Sequence, residues 1–246
     1  MWTLLQPRSR SRERVLAAVS GIRGLLRDPV WRIADPGQGR GTGVLLVPGF
    51  GAPDLSLGLT RTWLTARGYR PAGARIGFNV GCTTTLVDRI ERRLRRHAEA
   101  TGDKVILLGQ SRGGWLARLV ASRCPELVRG LFMFGTPVLD PLGAKPEAVR
   151  TARMLTRLSA LGLPGFLRES CFSGNCYESN AAALATALPP GIPAVSMYSR
   201  TDGVVPWELC LDPCAEWVEV ESTHVGMALV PDFYRVLGPR LAAWVT

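Results

Sequence analysis

The chain has 246 residues, of which 46% are hydrophobic and 20% charged, and 30 basic against 20 acidic residues give it a formal net charge of +10. This composition is ordinary for a globular enzyme, and no apolar run approaches the roughly 18 residues that a membrane-spanning helix needs. The basic excess comes with no nucleic-acid-binding module and no stacking aromatics, so we expect no nucleic-acid partner.

The predicted elements alternate between strands and helices, which is typical of parallel strands joined by helical crossovers. We therefore expect an α/β fold in which residues 1–246 form a single domain around a doubly wound, mostly parallel sheet of about six strands. In chain order the predictions are helix 12–27, strand 44–47, helix 56–67, strand 72–78, helix 83–100, strand 104–108, helix 113–123, strand 129–135, strand 192–198, strand 217–221 and helix 231–244.

The first segment, residues 1–40, is predicted to be a basic amphipathic helix at 12–27 and a Gly-rich linker. The apolar stripe of this helix consists of Val15, Val19, Ile22 and Leu26. A helix of this kind either docks on the domain or lies on an anionic membrane, and docking is the favoured interpretation. No secretion-signal core is recognisable, so we expect a cytoplasmic protein, with peripheral membrane contact through residues 12–27 as the alternative.

A GxSxG pentapeptide lies between a predicted strand and a predicted helix. It runs from Gly109 to Gly113 with Ser111 at its centre, after the apolar run at 104–108. A strand, a sharp turn and a helix lift a nucleophilic serine above the edge of a sheet, and flanking glycines leave room for the turn. Ser111 is therefore the candidate nucleophile, and a glycine-rich turn with a capping serine is the alternative.

A serine nucleophile needs a base, and the chain has two histidines. His97 lies in a charged helical run and is expected to be solvated, whereas His224 follows a predicted strand near the C-terminus and is the candidate base. The acid that orients the histidine is predicted to be Asp202, which begins an Asp-Gly turn after strand 192–198. Asp140 and Asp212 are the alternatives for the acid.

A second glycine motif, Pro48-Gly49-Phe50-Gly51, ends the predicted strand at 44–47. Four segments, residues 43–51, 105–114, 195–206 and 217–229, together resemble the bacterial lipase and esterase branch of the α/β-hydrolase superfamily. The resemblance implies a Ser-His-Asp triad and an oxyanion hole formed by the backbone N–H groups of Phe50 and Arg112. Such enzymes usually carry a histidine where this chain has Pro48.

Residues 138–190 separate two predicted strands by far more than a usual crossover. At this point the resemblance implies a helical lid over the serine. An apolar stripe recurs there at helical spacing, and it consists of Met154, Leu158 and Leu161. The stripe either lines an acyl pocket or packs the helix on the core.

Six cysteines without a secretion signal are expected to be reduced. The pairs Cys171/Cys176 and Cys210/Cys214 allow a zinc site or local disulfides, but their spacings differ from the common metal-binding pattern. Free thiols are therefore expected, with no metal and no cofactor, and Cys82 and Cys124 are interpreted as core or helix-end residues.

These features together predict a serine hydrolase that cleaves carboxylic esters of small molecules or lipids through an acyl-enzyme. Two alternatives stay open. The same triad also serves an acyltransferase, in which another nucleophile replaces water. A catalytically inactive binding protein with the hydrolase fold is the second alternative. The oligomeric state is not indicated by the sequence.

Overall fold

The fold is that of a computed structural model, which describes residues 21–245. Most of the predicted helix at 12–27, including Val15 and Val19, lies outside the described residues. Residues 21–27 are helical, and Leu25 is buried in the core while Leu26 is 42% exposed. The predicted stripe is therefore wrong at Leu26, because the helix turns the neighbouring Leu25 towards the core. Membrane contact through residues 12–27 stays a prediction.

A six-stranded sheet forms the centre of the described part of the chain, and all its neighbouring strands are parallel. The spatial order is β2-β1-β3-β4-β5-β6. This confirms the predicted doubly wound α/β architecture. The strands are β1 (Gly43–Val47), β2 (Arg70–Gly73), β3 (Val105–Gln110), β4 (Val128–Phe134), β5 (Ala194–Tyr198) and β6 (Glu216–Glu219).

Helices cover both faces of the sheet, which explains why the central strands are continuous apolar runs. Successive residues of a strand point to opposite faces, so Leu107 joins the core on one face and Leu108 joins the core on the other. None of the helices in residues 21–245 is both long and apolar enough to cross a membrane. After the helical residues 21–27, the α-helices are α1 (Pro29–Arg32), α2 (Gly58–Ala66), α3 (Thr83–Thr101), α4 (Arg112–Arg123), α5 (Pro146–Ala160), α6 (Asn175–Ala185) and α7 (Pro231–Val245).

Strand β2 differs most from its prediction, since it ends at Gly73 and does not continue to residue 78. Arg75 has a positive φ of 54°, which an extended strand does not allow. The Asp54 side chain stabilises this turn by accepting a hydrogen bond of 2.9 Å from the Arg75 N–H.

The prediction that His97 is solvated is wrong. Its side chain lies on the inner face of α3, the residue is 8% exposed, and its Nε2 lies 2.8 Å from the carbonyl oxygen of Arg70. A carbonyl oxygen only accepts hydrogen bonds, so Nε2–H is the donor. The residues that His97 joins on this face are Leu86, Ile90 and Leu94.

Candidate active site

Ser111 occupies the sharp turn between β3 and α4. Its backbone has φ 50° and ψ −123°, a conformation that non-glycine residues rarely adopt and that is concentrated at functional sites. The turn is fixed from both sides, because the Ser111 N–H donates to the Phe134 carbonyl at 2.9 Å and the Ser111 carbonyl accepts from the Gly114 N–H at 2.9 Å. The strained turn therefore has the geometry of a nucleophile elbow.

The two outer glycines of the pentapeptide are required by close backbone approach. A Cβ atom on Gly109 would lie 2.5 Å from the Gly114 Cα, and one on Gly113 would lie 2.3 Å from the Val47 carbonyl oxygen. Both contacts are far inside van der Waals distance. The motif thus packs β3, the turn and the end of β1 closer together than any side chain at these two positions would allow.

The three residues predicted as the triad lie in one hydrogen-bonded chain. The Oδ2 of Asp202 lies 2.6 Å from the Nδ1 of His224, and the Nε2 of His224 lies 3.0 Å from the Oγ of Ser111. A carboxylate only accepts hydrogen bonds, so Nδ1 carries the hydrogen and the neutral ring leaves Nε2 as an acceptor for the serine hydroxyl. The arrangement can move a proton from Ser111 to His224 while Asp202 holds the ring.

Backbone and hydroxyl contacts fix the Asp202 side chain and the loop that carries His224. The other carboxylate oxygen of Asp202 accepts the N–H groups of Val204 at 2.7 Å and Val205 at 2.9 Å. The Ser199 hydroxyl donates to the Ser222 carbonyl at 2.7 Å and accepts the Ser222 N–H at 3.1 Å. Ser199 therefore ties the end of β5 to the loop that carries His224, a role for which the sequence has no local signal.

The two alternative acids make other contacts. Asp140 accepts a hydrogen bond from the Leu142 N–H at 3.0 Å, in its own turn. Asp212 is buried and forms an ion pair with Arg118 at 3.0 Å. Among the three aspartates, Asp202 is the one that contacts His224.

The predicted oxyanion donors, the N–H groups of Phe50 and Arg112, belong to residues that line the same cavity as Ser111. Within residues 21–245, neither N–H takes part in a backbone or side-chain hydrogen bond. The loop of Phe50 is held by Asn79, whose buried side-chain amide donates to the Pro48 carbonyl at 2.7 Å. An amide on a different loop thus orders the turn that contains Pro48.

The side chain of Arg112 is buried below this loop. Its guanidinium donates to the carbonyls of Asn79 at 2.9 Å and Gly81 at 2.8 Å, and to the Thr83 hydroxyl at 3.3 Å. Burial lowers the pKa of Arg112 to about 10, because desolvation disfavours the cation. The guanidinium therefore links the residue after Ser111 to the loop before α3.

A cavity of about 460 Å³ opens beside Ser111 and His224. This volume lies in the range of small-molecule binding sites. The residues described along its walls include neither a carboxylate nor a lysine. Its apolar lining includes Phe50, Trp115, Pro137, Pro141, Leu142, Ala144, Ala148, Val149, Ala152, Leu167, Phe172, Val204, Val205 and Val225.

Helices α5 and α6 belong to the long segment 138–190, and both contribute to the cavity wall. The predicted stripe of this segment is wrong at two of its three residues, because Met154 is 62% exposed and Leu161, just after α5, is 79% exposed, whereas Leu158 is half-buried. The cavity-facing residues of α5 are Ala148, Val149 and Ala152. That the segment moves as a lid stays a prediction.

The cysteines group differently from the predicted pairs. All six are free thiols, and the sulfur atoms of Cys82, Cys171 and Cys176 lie within 4.8 Å of one another. Cys210 and Cys214 lie elsewhere: the Cys210 carbonyl accepts from Ser196, and the Cys214 sulfur accepts the Leu188 N–H. A zinc site built from the two sequence pairs is therefore wrong, because the fold brings Cys82 to the first pair.

Comparison with protein-family models and with curated proteins finds no match. Solved structures do match. An alpha/beta hydrolase enzyme from the metagenome of sediments from the lagoon of Mar Chica, Morocco, is 20% identical, with a TM-score of 0.57 over 83% of this chain and 92% of that chain.

Two further matches have named organisms. A soluble variant of monoglyceride lipase from Saccharomyces cerevisiae is 13% identical, with a TM-score of 0.57 over 83% of this chain and 86% of that chain. A thermophilic esterase from Thermogutta terrifontis is 20% identical, with a TM-score of 0.56 over 84% of this chain and 91% of that chain. At these identities the likeness concerns the fold, and it confirms the fold that the sequence resemblance implied: the chain has the α/β-hydrolase fold.

Proposed function

We propose that the protein is a serine hydrolase that cleaves carboxylic esters with an apolar acyl group. The observation that carries the proposal is the hydrogen-bonded chain from Asp202 through His224 to Ser111, which ends in an apolar cavity. A strained serine, an orienting carboxylate and free N–H donors in one cavity are the parts that acyl transfer requires.

The first half of the reaction forms an acyl-enzyme. The Oγ of Ser111 attacks the ester carbonyl carbon while Nε2 of His224 takes its proton, and Asp202 stabilises the resulting imidazolium. The negative charge that develops on the carbonyl oxygen is bound by the N–H groups of Phe50 and Arg112. Collapse of the tetrahedral intermediate breaks the C–O bond, and the alcohol leaves with the proton from Nε2.

The second half repeats these steps with water. His224 removes a proton from water, the hydroxide attacks the acyl carbon, and Ser111 leaves with the proton as the acid product forms. None of these steps calls for a metal or a cofactor. When an alcohol replaces water in this half, the same residues perform acyl transfer.

The lining of the cavity supports an uncharged acyl group. A cationic substrate group in this cavity would lose its hydration without gaining a carboxylate partner from the walls, and the Arg112 guanidinium that an anionic group would need already donates to two carbonyls and a hydroxyl. An aliphatic or aromatic acyl chain of a small-molecule or lipid ester gains free energy from burial there. The esterase and the monoglyceride lipase among the structural matches are consistent with ester chemistry on this fold.

The nucleophile is tested with a fluorophosphonate probe, which reacts with activated serines. We expect the wild-type protein and the Ser173→Ala variant, which changes an exposed serine, to be labelled, and the Ser111→Ala variant to be unlabelled and inactive. A wild-type protein that resists labelling would be an inactive binding protein. Labelling that persists in Ser111→Ala would place the nucleophile elsewhere.

Substrate class is tested with p-nitrophenyl esters of increasing acyl length. We expect kcat/KM to rise with acyl length until the cavity is filled and then to fall. Product analysis in the presence of an added alcohol separates hydrolysis from acyl transfer, because a transferase forms a new ester in preference to the free acid.

A further inference from the structure

Three thiols that the proposed reaction does not use converge beside the cavity. The Sγ atom of Cys176 lies 3.5 Å from that of Cys171 and 3.8 Å from that of Cys82, and all three sulfur atoms lie within 4.8 Å of one another. Cys171 and Cys176 also line the cavity that contains Ser111. We call this group the trithiol cluster.

The cluster joins two parts of the molecule that are distant in sequence. Cys82 precedes the first turn of α3, Cys171 ends a short 3-10 turn, and Cys176 lies in the first turn of α6. Cys171 is buried, whereas Cys82 and Cys176 are half-buried. Any bond that the three sulfur atoms share would therefore connect the segment 138–190 to the core helix α3.

The spacing of the sulfur atoms fits one bound metal ion. A Zn–S bond of about 2.3 Å with tetrahedral angles places two sulfur ligands roughly 3.8 Å apart. The measured separations of 3.5 and 3.8 Å lie close to this value. Three protein ligands with a fourth position left to water is also a coordination that zinc adopts in proteins.

The charge next to the cluster favours an anionic occupant. The Arg112 guanidinium is buried, and within residues 21–245 its hydrogen bonds go to two carbonyls and a hydroxyl, with no carboxylate among its partners. Of the two other buried arginines in residues 21–245, Arg118 has Asp212 as its counter-ion, whereas Arg67 donates to backbone carbonyls. The Arg112 guanidinium donates to Gly81 and Thr83, the two sequence neighbours of Cys82, and a buried cation without a counter-ion is costly.

We propose that Cys82, Cys171 and Cys176 form a binding site for Zn²⁺. The three thiols lose three protons in all when the ion binds, and the resulting zinc trithiolate has a net charge of −1, which the single positive charge of Arg112 balances. A water from the cavity takes the fourth position. A Cu⁺ trithiolate would carry −2 and leave one charge unbalanced, so the charge count selects Zn²⁺.

The site has a structural consequence for the neighbouring cavity. Bound zinc fixes the start of α6 to the start of α3, and both elements adjoin the loop that Arg112 holds. The proposal does not depend on the esterase proposal, because no residue of the triad is a ligand. A protein that failed to cleave any ester would still be expected to bind the ion.

The experiment measures zinc affinity on the full chain, purified in a non-thiol reductant, by competition with a chromophoric chelator. We expect one equivalent in the wild type, in Ser111→Ala and in Cys214→Ser, which changes a thiol outside the cluster. Loss of a direct ligand should cost more affinity than loss of a group that only hydrogen-bonds a ligand, so Cys82→Ser, Cys171→Ser and Cys176→Ser should each weaken binding by about 100-fold or more.

Cobalt provides a readout that does not depend on the variants. Co²⁺ in the wild-type site should give thiolate-to-metal charge-transfer absorption and the intense visible bands of a tetrahedral complex, and added Zn²⁺ should remove both. Zinc should also raise the Tm of the wild type and of Cys214→Ser, but not of the three cluster variants. Equal zinc affinity in wild type and Cys176→Ser, a wild-type cobalt spectrum without thiolate bands, or preference for Cu⁺ over Zn²⁺ at one equivalent overturns the proposal.

Discussion

The two histidines lie at opposite ends of the parallel strands, which we call the carboxyl edge and the amino edge of the sheet. Comparing them separates a proposed catalytic residue from a structural one. At the carboxyl edge, where β3 and β5 end, His224 lies between Asp202 and Ser111. At the amino edge, where β1 and β2 begin, His97 donates to the Arg70 carbonyl and lies against Gly43. Each ring donates one hydrogen bond to an oxygen of the fold.

The difference lies in the surroundings of the rings. At the carboxyl edge the chain leaves the sheet in turns, and these turns surround an open cavity. Ligand sites of parallel sheets generally lie outside the carboxyl ends of the strands. At the amino edge α3 packs directly over the strand starts and buries the ring. Burial and hydrogen bonding are therefore common to both histidines, and His224 differs in having a second polar side-chain partner, Ser111, at an open cavity.

Replacing the two histidines should produce the largest contrast. We expect His224→Ala to lower kcat by roughly 10⁶, as loss of the base does in comparable triads, whereas folded His97→Ala should keep a kcat close to wild type. Steady-state kinetics on one soluble short-chain ester, with circular dichroism to establish folding, measure both. A large loss of kcat in folded His97→Ala would show that the two edges are not functionally distinct.

Asp202 and Asp140 both follow strand ends at the carboxyl edge, so replacing each in turn tests which of them supports His224. Asp202→Asn should lower kcat by roughly 10⁴, because the imidazolium loses the carboxylate that supports it. Asp140→Asn should keep kcat near wild type, since Asp140 caps its own turn. The loss should appear in kcat more than in KM. A large loss in Asp140→Asn with an active Asp202→Asn would assign the acid to the end of β4.

The sequence predicted the sheet and the three residues of the hydrogen-bonded chain because both follow from local patterns and topology. Apolar runs indicate strands, parallel strands bring their carboxyl ends together, and Ser111, Asp202 and His224 each follow such an end. The sequence also contains a pattern that predicts the burial of His97, because Leu86, Ile90, Leu94 and His97 recur at helical spacing. The arginines between these residues make the whole segment look like a solvated, charged helix.

Other parts of the site have no local pattern. Asn79 holds the Pro48 loop and Cys82 meets Cys176 through contacts between residues far apart in sequence. The cavity-facing side of α5 does not follow from the sequence pattern for a different reason. Small residues such as Ala148 and Ala152 line its cavity side and contribute little to a hydrophobic pattern. The larger Met154 contributes more to the apolar helical pattern, although it is exposed to solvent.

Opposite faces of α5 provide the next test. Ala152→Phe should fill part of the cavity and shift the ratio of kcat/KM for short over long acyl esters upward by roughly tenfold or more, since one methylene in an apolar pocket is worth about that factor. Met154→Phe, on the exposed face of the same helix, should leave the ratio unchanged. The p-nitrophenyl ester series measures both variants. Equal ratios in the two variants would mean that the acyl group does not reach α5.

The smallest effect concerns the amino edge and the pH dependence of stability. The pKa of His97 lies below its usual 6.5, first because burial desolvates the cation and also because Arg93 and Arg70 repel it, while the hydrogen bond to the Arg70 carbonyl opposes this. In the unfolded chain the ring regains its ordinary pKa. Between the two values the unfolded state binds more protons, so the free energy of unfolding falls as pH decreases.

This contribution is fully present above about pH 6.5 and is lost progressively below it, until the folded pKa is reached. We therefore expect the wild type to lose Tm between about pH 7.5 and about pH 5, and His97→Gln, whose neutral amide still reaches the Arg70 carbonyl, to lose less. Ser111→Ala retains both histidines and should match the wild-type loss. If His97→Gln lost as much Tm as the wild type, the ring at the amino edge would titrate as freely as a solvated histidine.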